Sequence, residues 1–324
     1  MERDSDSPTS DAPSTSRRRW GALWLALLGV AIVELVGHFV VQARVVPDDD
    51  WARAAGLVRR AHRPGDLIVA APGWADPLVR QALGDLIEPA EAGRSDLAGY
   101  ERLWALSIRG HRPEEAPDAP AELDRAVGAV RVLRWRLPSE PVLYDFTEHV
   151  REARVTLGTG DGARRCTWRR TGRPRGGGLG AGPIQPAERH VCDPRRSWLW
   201  VGTTIQDDLD LSPRYCIWQH PAGREPIRAT FPGVPLGERL VLYGDVYYEH
   251  ERHEEHGPVH VTVSVNGEPV GRMTHRDGDG WKRMEASTEV PGAGARGEVT
   301  VEVTAPNPHL RTFCWAATTR GSDE

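Results

Sequence analysis

Hydrophobic residues are distributed along the chain in three distinct textures. The first is a run of 22 residues, Trp20 to Val41, reading WGALWLALLGVAIVELVGHFVV. As a helix rising ~1.5 Å per residue it would be about 33 Å long, enough to cross a hydrocarbon core of about 30 Å. The second texture covers residues 48–110 and predicts mixed α/β structure. Asp50 suits a helix N-cap ahead of Trp51 to Ala61, and Pro64-Gly65-Asp66 predicts a turn. Leu67-Ile68-Val69-Ala70 is a short buried strand, and Asp76-Pro77 opens a helix to about Ile87 with proline in its first turn. Arg102 to Ile108 reads as a second buried strand. Two such strands around a helix predict a βαβ unit with a small parallel sheet.

From about residue 129 apolar and polar residues alternate, the period of a half-buried strand. Candidate strands are Val130 to Trp135, Ala153 to Leu157 and Trp198 to Val201. The clearest local signal is Val259, Val261, Val263 and Val265 alternating with His260, Thr262 and Ser264, then Asn266-Gly267, then Glu268 to Met273. That is a type I′ hairpin pattern. Val299, Val301 and Val303 alternate in a further strand. Many short strands between turn residues predict a β-sandwich. The expected organisation is a disordered cytoplasmic tail (1–19), a transmembrane anchor (20–41), a small α/β domain (48–128) and a jelly-roll-like sandwich (129–320).

Charge fixes the expected orientation of the anchor. Arg17, Arg18 and Arg19 directly precede the run, and Asp48, Asp49 and Asp50 follow it closely. This places the N-terminus inside and the body outside, although Arg44, Arg53, Arg59 and Arg60 balance the count further out. Trp20 and Trp24 suit an interfacial aromatic belt. Val41-Gln42-Ala43 could serve as a cleavage site, but the apolar run exceeds the usual signal length, so an uncleaved anchor is expected. Glu34 and His38 lie inside it four residues apart, on one helix face. They are either a tolerated polar pair in a single anchor or the candidates for contact with a multi-span membrane partner.

The net charge is −5, and basic and acidic residues are interspersed, with Lys282 the single lysine. That leaves no basic stripe for nucleic acid. Four cysteines in an extracytoplasmic body predict two disulfides. The expected pairing is Cys166–Cys192, bracketing a Gly/Arg-rich stretch, and Cys216–Cys314, in the aromatic strands Tyr215 to Trp218 and Phe313 to Trp315. In a sandwich, early and late strands are often neighbours.

Two resemblances accompany these patterns. The run Asp50-Trp51 … Arg63-Pro64-Gly65-Asp66-Leu67-Ile68-Val69 … Leu103-Trp104 resembles the extracytoplasmic C-terminal domain of polyprenyl-phosphate-sugar-dependent membrane glycosyltransferases. The many spans that carry catalysis there have no counterpart here, so no catalytic residue transfers. Residues 150–320 are similar in strand pattern and tryptophan content to jelly-roll carbohydrate-binding modules, which implies glycan binding through exposed aromatics.

Candidate chemistry is sparse. His250, His253 and His256 cluster with Glu251, Glu254 and Glu255 in a run expected to form a solvated hairpin loop, a possible divalent-metal set. Asp277 and Asp279 in Asp277-Gly278-Asp279-Gly280-Trp281 could form a calcium loop or a tight turn. Asp207, Asp208 and Asp210 pose the same choice. Trp281, beside that turn, is the aromatic expected to face a ligand. No cofactor motif, phosphate-binding loop or nucleophile elbow is present. The reading is a membrane-anchored extracytoplasmic binding or accessory protein of a bacterial envelope, with envelope glycan or lipid-linked sugar as ligand. The alternative is a carboxylate-dependent glycan-active enzyme or a glycosyltransferase subunit.

Overall fold

The computed structural model describes residues 15–42, 45–138, 140–176, 183–252, 256–289 and 294–321, and of 15–22 the backbone alone. Helix α1 is Thr15–Gln42. Its stretch Leu23–Gln42 has a mean hydropathy of 2.2 and is covered by none of the other described residues. Glu34 and His38 are both exposed on it.

The next elements are helix α2 (Asp48–Ala61), strand β1 (Asp66–Ala71), helices α3 (Asp76–Leu83) and α4 (Pro89–Ala92), and strands β2 (Arg102–Ile108), β3 (Leu123–Val127) and β4 (Val130–Arg136). They form a four-stranded sheet in the order β1-β2-β4-β3. Strands β1 and β2 are parallel, with Asp66 opposite Arg102. Successive side chains of a strand point to opposite faces, and here both faces are covered. Ile68, Trp104 and Leu106 pack against Trp51, Val58, Val79 and Leu83 of α2 and α3. Leu67, Val69 and Leu103 pack with Leu97, Tyr100 and Trp135. This double burial is why both strands read as continuous apolar runs. Asp66, 1% exposed, is held by Arg102 at 2.5 and 2.6 Å and by the Trp104 indole N–H at 2.8 Å. Removing one partner of such a pair typically costs about 3–5 kcal/mol.

Three local expectations are corrected here. Pro47, not Asp50, holds the α2 N-cap position. Asp50 instead turns inward, accepts the Ala129 backbone N–H at 2.8 Å and pairs with Arg53. A Cβ on Gly128 (φ +61°) would lie 2.3 Å from that carboxylate, so only glycine fits the β3–β4 turn. Helix α3 stops at Leu83, short of Ile87. Finally, Val130–Arg136 does not open the sandwich; it pairs with β2 in the first sheet. Val130 and Val132 face the core under α2, and Leu133 and Trp135 face the core on the other side of the sheet.

The remaining strands are β5 (Val142–Asp145), β6 (Arg154–Leu157), β7 (Arg164–Arg165), β8 (Thr167–Arg170), β9 (Glu188–Val191), β10 (Trp200–Asp207), β11 (Pro213–Gln219), β12 (Ile227–Pro235) and β13 (Arg239–Val246). After the short helix α5 (Tyr248–Glu251) come β14 (Val259–Val265), β15 (Glu268–His275), β16 (Lys282–Ser287), β17 (Arg296–Thr304) and β18 (Phe313–Arg320). One sheet has the order β16-β13-β18-β11-β10-β9-β8, with β5 also on β18; the other runs β15-β14-β17-β12-β6-β7. All their pairings are antiparallel, and Ile217, Leu240, Leu242 and Trp315 of the first meet Ala229, Phe231, Val261 and Val301 of the second in one core. This is a β-sandwich. Asn266 and Gly267 both have positive φ, at 51° and 86°, the backbone that a two-residue type I′ turn requires.

The disulfides are Cys166–Cys192 and Cys216–Cys314. The second joins neighbouring strands, since Ile217 of β11 faces Trp315 of β18.

Candidate functional site

Strand β18 changes partner partway along one edge. Along its opposite edge, β13 pairs with it from Phe313 to Arg320. Along the other, β11 pairs at Cys314 and Trp315, and β5 takes over at Thr318 to Arg320. Between them, at Ala316 and Ala317, the sheet forms the floor of a cleft of about 430 Å³. The roof comes from the α/β part, residues 88–100. A second groove of about 540 Å³ on the other side of the roof shares Arg94, Ser95 and Asp96 with it.

The roof is bolted down at both ends. The Tyr215 N–H donates to Gly93 O at 2.7 Å, and Arg214 Nη1 donates to Arg94 O at 2.9 Å. A Cβ at Gly93 would lie 2.4 Å from Tyr215 N, so this approach requires glycine. Further along, Asp96 Oδ2 accepts from the Tyr243 hydroxyl at 2.9 Å and from Arg320 Nη2 at 2.6 Å. Arg320 is also bound to Glu140 at 2.9 Å and is 3% exposed. Fixed walls of this kind hold a cleft open for a ligand at little ordering cost.

Its lining is chemically distinctive. Of the six tyrosines in the chain, four face the cleft: Tyr100, Tyr144, Tyr215 and Tyr243. Tyr144 stacks on His149 with ring centroids 4.1 Å apart. Burial pushes the hydroxyls of Tyr100, Tyr144 and Tyr243 up to about 12, so all three stay protonated. Glu91 lies in the same wall. Burial pushes its carboxyl upward against the opposing effects of the Glu88 backbone and Arg94. Its Oε2 is buried and has no partner among the described residues. A desolvated oxygen without a donor is costly to keep, and a ligand bearing hydroxyl donors would satisfy it.

The residues singled out from sequence lie elsewhere. Trp281 is half-buried behind the cleft wall; its ring lies 6.1 Å from that of Tyr243, with the planes 9° apart, and Arg214 covers it at 5.6 Å. Asp277 pairs with the fully buried Arg311 and accepts the His256 N–H at 2.9 Å. Asp279 accepts from the Arg276 N–H at 2.9 Å and from Lys282 at 2.8 Å. Both carboxylates are thus occupied in holding a turn. Asp208 is likewise a buried anchor, accepting the Asp210 and Ser212 N–H groups and Arg214.

His250 bonds Thr312 Oγ1 at 2.9 Å, His256 faces His309 with ring centroids 6.1 Å apart, and His253 lies outside the described residues. The expected solvated loop is, at Tyr248–Glu251, helical, with Glu251 buried. His250 and His256 are not brought together as a ligand set. Among the described residues, the group of three that could hold a metal is Asp245, Glu251 and His275. The cleft itself escaped the sequence reading because Tyr100, Tyr144, Tyr215 and Tyr243 share no motif or spacing. Their scarcity in the chain was the one available signal.

No family model matches the chain, and no curated protein matches it. Among solved structures, it is similar to the CBM51-2 and INT domains of Clostridium perfringens ZmpB in complex with GlcNAc, at 14% identity and a TM-score of 0.29. That match covers 37% of this chain and about a quarter of the other, 25% of its length. It is also similar to CBM51 from Clostridium perfringens GH95 in complex with methyl-galactose, at 13% identity and a TM-score of 0.27, covering 36% of this chain and 81% of that one. The mannan-recognising module TmCBM27 matches at 12% identity and a TM-score of 0.27, over 56% of this chain and 98% of its own.

Proposed function

We propose that this is a membrane-anchored, extracytoplasmic glycan-binding or accessory protein of a bacterial cell envelope, and that the cleft under residues 88–100 is its binding site. The observation that carries the reading is the cleft lining: four tyrosines beside a buried carboxylate oxygen with no partner among the described residues. Sugar rings present apolar C–H faces that stack on aromatic rings, and hydroxyls that donate to carboxylates and accept from tyrosine and arginine. The helix Leu23–Gln42 supports anchoring. Two disulfides support an oxidising compartment, hence a body outside the cytoplasm with residues 1–19 inside.

The test uses the full chain in nanodiscs against envelope polysaccharides and lipid-linked sugars. Saturable binding is expected, weakened about tenfold or more in Tyr100→Ala and Glu91→Gln, each tenfold being ~1.4 kcal/mol. No binding across a broad panel sinks the glycan reading. A second reading, a carboxylate-dependent glycan-active enzyme, is favoured by the raised carboxyl of Glu91, the property of a general acid. It requires turnover that Glu91→Gln abolishes; binding without turnover excludes it.

A further inference from the structure

Asp245 near the end of β13, Glu251 at the end of α5 and His275 at the end of β15 meet where the two sheets of the sandwich come together. They are 1%, 4% and 0% exposed, and one ligand-capable atom from each lies within 4.8 Å of the others. His275 Nε2 is 3.3 Å from Asp245 Oδ1 and 3.5 Å from Glu251 Oε1. The same nitrogen donates to the Gly280 carbonyl at 3.0 Å, through a proton whose place a bound cation would take. Asp245 Oδ2, Glu251 Oε2 and His275 Nδ1 have no hydrogen-bond partner among the described residues. The backbone N–H groups of Gly278 and Gly280, at 3.1 and 3.2 Å, fix Glu251 Oε1 in position.

The cluster is short of positive charge. Its two carboxylates face a single imidazole. Among the described residues no lysine or arginine pairs with either carboxylate: Arg311 is committed to Asp277, and Lys282 to Asp279 and Thr274 O. Buried carboxylates are normally paired or bound to metal.

We propose that Asp245, Glu251 and His275 form a buried site for one divalent cation of the zinc type, which clasps β13 and α5 to the end of β15. The spacing fits. Ligands bound tetrahedrally at ~2.0–2.2 Å stand about 3.3–3.6 Å apart, the separation seen from His275 Nε2 to both carboxylates. One imidazole and a few oxygens suit zinc. Calcium would need six to eight oxygens, with water among them, and side chains this buried leave it little access. The buried position makes the site a structural one, independent of the cleft and of the glycan reading.

The test uses untagged full-length chain in detergent, stripped with chelator and then dialysed against zinc, calcium or magnesium. Metal analysis is expected to find one zinc per chain and no comparable calcium or magnesium. Unfolding is expected to shift upward by about 5–10 °C at a hundredfold excess of zinc over its dissociation constant. Cobalt in place of zinc should give the visible absorption of a tetrahedral nitrogen–oxygen site, a readout needing no variant. His275→Gln and Glu251→Gln should lose the metal, while the His250→Ala/His253→Ala/His256→Ala chain keeps it. Folded wild-type chain that retains neither zinc nor cobalt overturns the proposal. So does zinc lost from the triple variant but kept by His275→Gln.

Discussion

At the scale of single residues, burial decides which ionisable groups matter. Asp66, Asp208, Arg311 and Arg320 are almost inaccessible, and each is held by a partner of opposite charge. His220 is 6% exposed and has none among the described residues. Its Nδ1 donates to Pro221 O at 2.8 Å, and its ring lies against Trp198 and Trp218. Burial holds it down to about 4, with His250 and Arg311 adding repulsion. Above its ordinary value near 6.5, folded and unfolded chains both carry it neutral, and it contributes no pH dependence. As pH falls from about 6.5 to 4 the unfolded chain takes up a proton that the folded chain refuses. Stability therefore drops in that window, by at most about 3 kcal/mol from this group. Chemical denaturation at pH 7 and pH 4.5 should show the loss, and His220→Gln should make the profile flatter. An unchanged profile would mean that His220 is charged in the fold or exposed to water.

At the scale of elements, period-2 alternation located strands reliably but could not say which sheet each joins. Val259 to Val265 and Val299 to Val303 lie inside strands of the expected phase, because one face of each meets the core. Val130 to Trp135 lies in a different sheet and buries residues on both faces. The disulfides fasten elements of unequal reach. Cys166–Cys192 closes a separation of 26 residues and Cys216–Cys314 one of 98. In the chain-entropy model these correspond to about 3.5 and 4.7 kcal/mol. Cys216→Ala/Cys314→Ala is therefore expected to lower stability by about 1 kcal/mol more than Cys166→Ala/Cys192→Ala, measured by denaturant midpoints. The reverse order would mean that packing around the β7–β9 finger outweighs loop length.

At the scale of the molecule, the α/β part and the sandwich meet through the roof of the cleft, and Asp96 is its pin. Asp96→Ala removes the acceptor shared by Tyr243 and Arg320 and leaves the buried guanidinium with Glu140 as its one carboxylate partner among the described residues, beside the Thr318 hydroxyl. A stability loss of about 1–3 kcal/mol is expected. With the proposed ligand, binding should weaken by more than tenfold, since the cleft loses its fixed wall. Equal affinity in Asp96→Ala and wild type would show that the roof plays no part in recognition.

Sequence alone determined the features that depend on neighbours along the chain. The apolar helix, the buried strands around a helix, the Asn266-Gly267 turn and the alternating strands all follow from local periodicity and turn chemistry, because burial on one face or two is written directly into residue spacing. The disulfide pairing also followed, from which segments could lie side by side. Only the tertiary structure decided which sheet Val130–Arg136 joins, where Asp50 points and which groups converge. Tyr100, Tyr144 and Tyr243 meet because β18 changes partner and residues 88–100 fold back over it. Asp245, Glu251 and His275 meet because three elements end at one point between the sheets. Convergence of that kind is set by long-range pairing, for which a linear pattern carries no signal.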